Sequence, residues 1–385
     1  MKNKMKIIIR VSFVLIIIVN LIGKRGTVVE ELNLPNSIGY DILEKKGDQV
    51  LYSVPLRTYF SESKMPNESQ LVTSKAINLG ETRNKRQLQA SKEFILGLEK
   101  SLIISEKAAR FGISNIIDIL LNNPLVNDNA KMVVCAGTAK DIMEYEVKKY
   151  GGTEEYVGTL VEHLNKFNFF SEKYSLMDFI IKSSSEGKNP VIPYLDIVED
   201  ELKITGVAIF DKTKMVKKLD IEDVKVLNLL RENKGKGILT IQKNSKEYIN
   251  YYPQAKKKVK CYKEDNKYKF IINITLKGPI ISNQLYKNLN NDPKVLKKFE
   301  KDMEEFVEKK CTHFISKMKD SCKVDVLELG NVAAAKYGRE TGVDWNKEVL
   351  NSEIKVNVKV KVDSQGRGEY YLKIFCFIAN WEDIS

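Results

Sequence analysis

The chain holds only two histidines, His163 and His313, among its 385 residues. Neither has a second histidine four residues on, and no H-E-x-x-H pattern occurs, so a zinc hydrolase arrangement is excluded. No G-x-S-x-G elbow presents a serine nucleophile. No G-x-x-x-x-G-K-[ST] loop cradles a phosphate, because Gly235-Lys236-Gly237 has neither the spacing nor the hydroxyl that follows. Acidic pairs such as Glu30-Glu31 and Glu304-Glu305 are too ordinary among 51 carboxylates to nominate a glycosidase site. Arginine is scarce as well, with nine of the 63 basic residues. Reading phosphates or base edges favours the planar arginine fork, so a net charge of +12 made of lysine does not point to nucleic acid. Lysines spread over every segment cover solvated faces, and they suit anionic lipid or cell-wall polymer better. The expectation is a protein that is not an enzyme, with no catalytic, cofactor-binding or metal-ligating residues.

Cysteine is sparse too. Cys135, Cys261, Cys311, Cys322 and Cys376 form an odd, scattered set with no C-x-x-C, which argues against a disulfide framework or a zinc site. On one continuous helix Cys311 and Cys322 would stand about 16 Å apart, too far for a bridge. All five read as small buried hydrophobes. The turn Cys135-Ala136-Gly137-Thr138 brings amides to a helix start, as anion sites do, but with one glycine it reads as ordinary connectivity.

What is present begins at the N-terminus. Lys2, Lys4, Lys6 and Arg10 precede the apolar run 11–22, broken only by Ser12 and Asn20, in the pattern of an export signal. No A-x-A-like cleavage site follows, so a cleaved signal and an uncleaved anchor both remain open. Counted from Ile7 to Ile22 the stretch spans about 24 Å as a helix, against a hydrocarbon core of about 30 Å. Tilt, thinning and snorkelling of Arg10 can accommodate that shortfall. The positive flank predicts an N-in, C-out orientation. Leu21-Ile22-Gly23 would precede cysteine in a bacterial lipoprotein; here Lys24 follows, and an amine cannot take the thioether.

The remaining 360 or so residues suffice for two or three cores. The pattern is α+β, mixed α/β without repeats, and predicts a three-domain ectodomain of sheets packed with helices behind the segment 1–23. The first domain, 24–200, has strands at 37–43 and 50–60 and a helix at 82–101 with Leu88, Phe94, Ile95 and Leu98 inward. A strand at 102–104 leads into a helix at 106–111 capped by Ser105 and stopped by Gly112, then a helix capped by Ser114. A strand at 132–135 turns into a helix at 139–149. A helix at 154–166 and one opened by a Ser175/Asp178 capping box complete it. A small second domain, 201–255, has a hairpin around Lys212-Thr213-Lys214, a helix at 221–233 and breaks at Gly235 and Gly237. The third, 256–385, has strands at 256–262 and 267–277, a long amphipathic helix at 293–319 and the alternating strand 354–362, turned by Asp363-Ser364-Gln365-Gly366 into 370–378.

An ordered set of segments carries a resemblance. Leu21-Ile22-Gly23 comes first, followed by Glu30-Glu31-Leu32 and Ser37-Ile38-Gly39-Tyr40-Asp41, then Ile103 through Ile113, Ile116-Ile117-Asp118, Asn123-Pro124 and Val134-Cys135-Ala136-Gly137-Thr138-Ala139. Ile204-Thr205-Gly206-Val207-Ala208-Ile209-Phe210, Asp325-Val326-Leu327-Glu328-Leu329-Gly330, Trp345, the alternating valines and Gly366 complete it. Together these resemble the Ger(x)C-type spore germination lipoproteins, the C subunits of germinant receptors. The resemblance implies a non-enzymatic subunit on the outer face of the spore inner membrane, working with two integral membrane subunits in nutrient-triggered germination. Lys24 and Arg25-Gly26 replace the family's acylated cysteine and the Trp-Asp after it. Two alternatives stay open: an exported lysine-rich module binding wall polymer or another anionic ligand, and a degenerate receptor paralogue.

Overall fold

The computed structural model of the protein describes residues 5–6, 10–15, 32–47, 49–59, 69–145, 153–265 and 267–364. Strands β1 (Leu32–Asn33), β2 (Pro35–Lys46), β3 (Gln49–Tyr59) and β4 (Ser69–Ala76) precede helix α1 (Leu79–Gln87). Next come β5 (Glu93–Phe94), β6 (Ser101–Ser105), α2 (Glu106–Phe111), α3 (Ser114–Leu121), β7 (Lys131–Cys135), α4 (Ala139–Glu144), α5 (Thr153–His163) and α6 (Leu176–Ser184). The middle of the chain gives β8 (Val191–Val198), β9 (Glu201–Asp211), β10 (Lys214–Asp220) and α7 (Ile221–Arg231). The remainder gives β11 (Leu239–Asn244), β12 (Glu247–Tyr251), β13 (Gln254–Glu264), β14 (Lys267–Asn283), α8 (Pro293–Lys317), α9 (Leu329–Tyr337), α10 (Trp345–Asn351) and β15 (Glu353–Ser364).

An eight-stranded sheet runs in the order β10-β9-β8-β7-β6-β2-β3-β4. Its centre, β8-β7-β6-β2, is parallel, and antiparallel pairs flank it on both sides. The central strands are the continuous apolar runs of the sequence: Leu102, Ile103, Met132, Val133 and Val134 are fully buried. Such runs need cover on both faces, which the helices supply. The second sheet has β11-β12-β14-β13 in order, with β15 joining β14 in parallel. The mixed α/β, α+β architecture of sheets packed with helices is as the sequence predicts. The stretch 201–255 contributes β9 and β10 to the first sheet and β11 and β12 to the second.

Local chemistry decides the element ends. Ser105 caps α2 through its hydroxyl on Ala108 N, and Gly112 ends it at a φ of +116°. Both halves of the Ser175/Asp178 capping box are present on α6. Helix α8 starts at Pro293 under an Asp292 cap, then widens into one π turn, Met318–Cys322, stopped by left-handed Lys323.

Three expectations are corrected. The helix predicted over 82–101 is only α1, Leu79–Gln87. Beyond it Gln87 Oε1 accepts the N–H of Phe94, Gly97 takes a φ of +137°, and the buried Glu99 carboxylate accepts the N–H groups of Gly97 and Asn127. These side-chain bonds give the backbone partners outside a helix, and Leu88 and Leu98 point into solvent, 87% and 56% exposed. Ser114 does not cap α3; it is the first helical residue, and Ile113 precedes it without a side-chain cap. Helix α4 stops at Glu144, where Tyr145 turns extended, short of the predicted residue 149. The segment 1–23 lies outside the described residues except 5–6 and 10–15, which are helical, and the strand predicted at 370–378 lies outside them entirely. Among the described residues no helix is long and apolar enough to cross a membrane.

Candidate functional site

Among the described residues no group of histidine, cysteine and carboxylate side chains gathers as a metal site. His163 and His313 sit exposed on separate helices, α5 and α8. Cys135, Cys261, Cys311 and Cys322 are buried and free. Burial pushes the Cys261 and Cys322 thiols up to about 11 and the Cys311 thiol up to about 12, so none is a ready nucleophile. Cys376 lies outside the described residues. At the Cys135–Thr138 turn the anion is internal: Asp41 accepts the N–H groups of Ala139 and Lys140 at 2.7 and 3.2 Å. This carboxylate ties β2 to the start of α4, joining two of the segments that carry the family resemblance.

The charged centre of the molecule lies where the two sheets' layers meet. Arg231, at the end of α7, has a side chain only 1% exposed. Its guanidinium meets Glu328 Oε1 at 2.6 Å and Glu232 Oε1 at 3.2 Å, and donates to the carbonyls of Val326 and Asn189. Burial opposes its charge, but Glu328 and Glu232 outweigh that and raise its proton affinity. Burial opposes the charge on Glu328 as well, and Arg231 holds that carboxyl below its usual range. Asp325, fully buried, accepts the N–H groups of Leu327 and Gly330 at 3.0 and 2.7 Å. Burial pushes its carboxyl up to about 6 in spite of them. Asn189 Nδ2 reaches Asp325 O and Asn346 Oδ1, so the loop before β8, the loop before α9, and α10 share one network.

Two glycines bring the backbones together beside this network. Gly187 has a φ of +66°, and a Cβ there would fall 2.2 Å from Asn331 N. A Cβ on Gly330 would fall 2.6 Å from Trp345 Cβ. Trp345 Nε1 donates to Glu186 Oε1 at 2.8 Å, closing the seam from the outside. Alongside runs an open cleft of about 710 Å³, lined by Glu186, Asp211, Lys212, Lys323, Trp345 and Lys347. Its charges are mixed in sign, which suits a protein surface better than one small ion.

A second surface is predominantly basic, with Glu353 on it paired to Lys269 and Lys355. The register aligns Lys256 with Thr275 and Lys359, and Lys260 with Ile271 and Lys355. Partners in adjacent strands share a face. That face therefore carries Lys256, Lys258, Lys260, Lys355, Lys359 and Lys361, all exposed, while the opposite face is buried or half-buried. The alternating valines and lysines of 354–362 made this face legible in the sequence. Arg231, Asn189 and Glu186 carried no local signal, because their partners, Glu232 apart, lie 42 to 159 residues away.

Comparison with known proteins matches both halves. Residues 26–197 match the spore germination protein N-terminal domain, and residues 205–366 match the spore germination B3/GerAC-like C-terminal family. The border between the two matches, residues 198–204, covers the β8–β9 turn and the start of β9, and these strands are neighbours in one sheet. Spore germination protein GerQC of Bacillus cereus is 27% identical over 278 residues, 70% of this chain and 76% of that protein. The crystal structure of the GerBC protein shares the fold with a TM-score of 0.57 at 15% identity, covering 85% of this chain and 97% of that one. With the two matches lying end to end along the same order of segments, the chain belongs to the GerAC-like family of spore germination proteins.

Proposed function

We propose that this protein is the C subunit of a germinant receptor, a non-enzymatic component needed for nutrient-triggered germination. The observation that carries this is the end-to-end family match over residues 26–197 and 205–366. The seam and cleft at Trp345 support it, since the family segments 325–330 and Trp345 build a rigid, mixed-charge surface of the kind protein partners use. The partners in this reading are two integral membrane subunits of the same receptor. The N-terminal segment tethers the chain to the outer face of the spore inner membrane, and tethering raises its local concentration near those subunits. The test is affinity purification of the tagged full-length chain from solubilised spore membranes. Recovery of two multi-pass subunits encoded beside it supports the reading; recovery of the chain alone contradicts it.

The lysine face favours a second reading, an exported module that holds wall polymer or another anionic surface. Six exposed lysines on one sheet face supply the charge for it. Salt-sensitive sedimentation with purified cell wall, lost when Lys256, Lys260 and Lys359 become glutamine, distinguishes it from the receptor reading.

A further inference from the structure

Helix α1 roofs a cavity of about 220 Å³ at the β2–β3 end of the large sheet, far from the Trp345 seam in sequence and lined by none of its residues. The walls are apolar where they are deepest: Ile38, Leu56 and Leu120 are each at most 2% exposed, and Phe94 packs beside them. Into this lining comes one buried cation. Arg86 of α1 is 8% exposed. Its Nη1 donates to two neutral hydroxyls, Ser74 Oγ at 3.1 Å and Thr82 Oγ1 at 3.4 Å. Its Nε is buried with no hydrogen-bond partner. Among the described residues no carboxylate forms an ion pair with it.

That arrangement is costly as it stands. A buried guanidinium without a counter-ion loses hydration that two neutral hydroxyls return only in part. Burial, with the second cation Arg83 on the same cavity, holds its proton affinity down, to about 10. Every other deeply buried charge described above has an answer: Arg231 has Glu328 and Glu232, and Asp41 has the amides of α4. Arg86 alone in this comparison faces a cavity without one.

The geometry points to this cavity as a binding site for a small monocarboxylate with an apolar body. The carboxylate would take the open side of the Arg86 guanidinium, where charge-assisted, paired hydrogen bonds are strongest. The apolar body would lie against Ile38, Leu56, Phe94 and Leu120. An apolar cavity of about 150 Å³ accepts benzene, so 220 Å³ holds a branched aliphatic or phenyl group beside the carboxylate. Two sources share this chemistry, a free amino acid and a fatty acid. Asn84, Gln87 and Glu93 line the same cavity and are exposed, so an ammonium group would find acceptors there.

The test is titration calorimetry on the detergent-solubilised full-length chain with four probes: 4-methylpentanoate, its amide, L-leucine and octanoate. Leucine is the first acid with an ammonium group added, so the pair isolates that group. Saturable binding of at least one acid, with the amide at least tenfold weaker than 4-methylpentanoate, is expected. Tightest binding by leucine assigns an amino acid, and tightest binding by octanoate assigns a fatty acid; both support the site. Arg86→Met should lose at least tenfold in affinity while staying folded, since it replaces an unpaired buried cation with an apolar chain of similar reach. No binding of any acid, equal binding of acid and amide, or unchanged binding by folded Arg86→Met overturns the proposal. The acid–amide comparison uses the unaltered chain and decides the matter even if Arg86→Met does not fold.

Discussion

Glu304 of α8 accepts the backbone N–H of Val360 at 2.9 Å, and it is the middle rung of a ladder. Glu308 takes Val358 N–H at 2.8 Å and Glu300 takes Val362 N–H at 3.1 Å. Four residues of helix rise about 6.0 Å and two residues of strand about 6.6 Å. A glutamate every fourth residue therefore meets every second amide of β15. These carboxylates close a strand edge that would otherwise offer its amides to another chain. The helix's apolar side, Phe299, Met303, Val307 and Cys311, is buried at the same time.

Glu304→Ala is expected to destabilise the fold by about 1–3 kcal/mol, the range for losing a charge-assisted hydrogen bond to a partly buried amide. Removing Glu304 and Glu308 together should add concentration-dependent association through the opened edge. Urea titration and light scattering read the two effects. Wild-type stability in both variants would show that the ladder is ornamental.

Arg231→Ala should be among the most damaging single changes, at about 3–5 kcal/mol, because it strands Glu328 and two buried carbonyls. Arg231→Lys should rescue little, since one ammonium cannot span the same acceptors. Chemical denaturation checks both; a lysine variant as stable as wild type would contradict this account of the seam.

The fold class and most strands were legible because alternation and apolar runs are local signals. Met132 through Cys135, the lysine–valine alternation of β15 and the Ser105 and Ser175 caps all lie where the sequence places them. The stretch after Gln87 misled for a physical reason. Leu88, Phe94, Ile95 and Leu98 keep helical spacing, but Glu99 and Gln87 bond the backbone into a loop instead. The seam was not legible, because Arg231, Asp325 and Trp345 acquire their surroundings only when distant segments pack. Arg86 carries no sequence signal of burial; only the neighbouring walls make it buried.

Asp325 gives the seam a pH dependence. Its folded pKa, about 6, lies above the ordinary carboxylate value, so its protonated form is the one the fold favours. The stability it contributes is full below about pH 4 and is lost as pH rises through 6. Asp325→Asn removes that dependence and keeps one acceptor oxygen. From pH 4 to pH 7 the variant should gain on wild type by about 1–3 kcal/mol in unfolding free energy. Parallel stability curves would contradict the raised value.

Lys24 makes a prediction at the N-terminus. Metabolic labelling with a fatty-acid analogue should leave the protein unlabelled, because no thiol follows Leu21-Ile22-Gly23. Lys24→Cys should gain label. Label on the unaltered chain would contradict the reading of this boundary.

The receptor reading is tested most directly by germination itself. Spores lacking this gene, assayed by loss of optical density against a panel of nutrients and one non-nutrient trigger, should germinate slowly toward one nutrient class and normally toward the non-nutrient trigger. Restoring the gene should restore the rate. Wild-type germination toward every nutrient in the panel would contradict the assignment of this chain as a working receptor subunit.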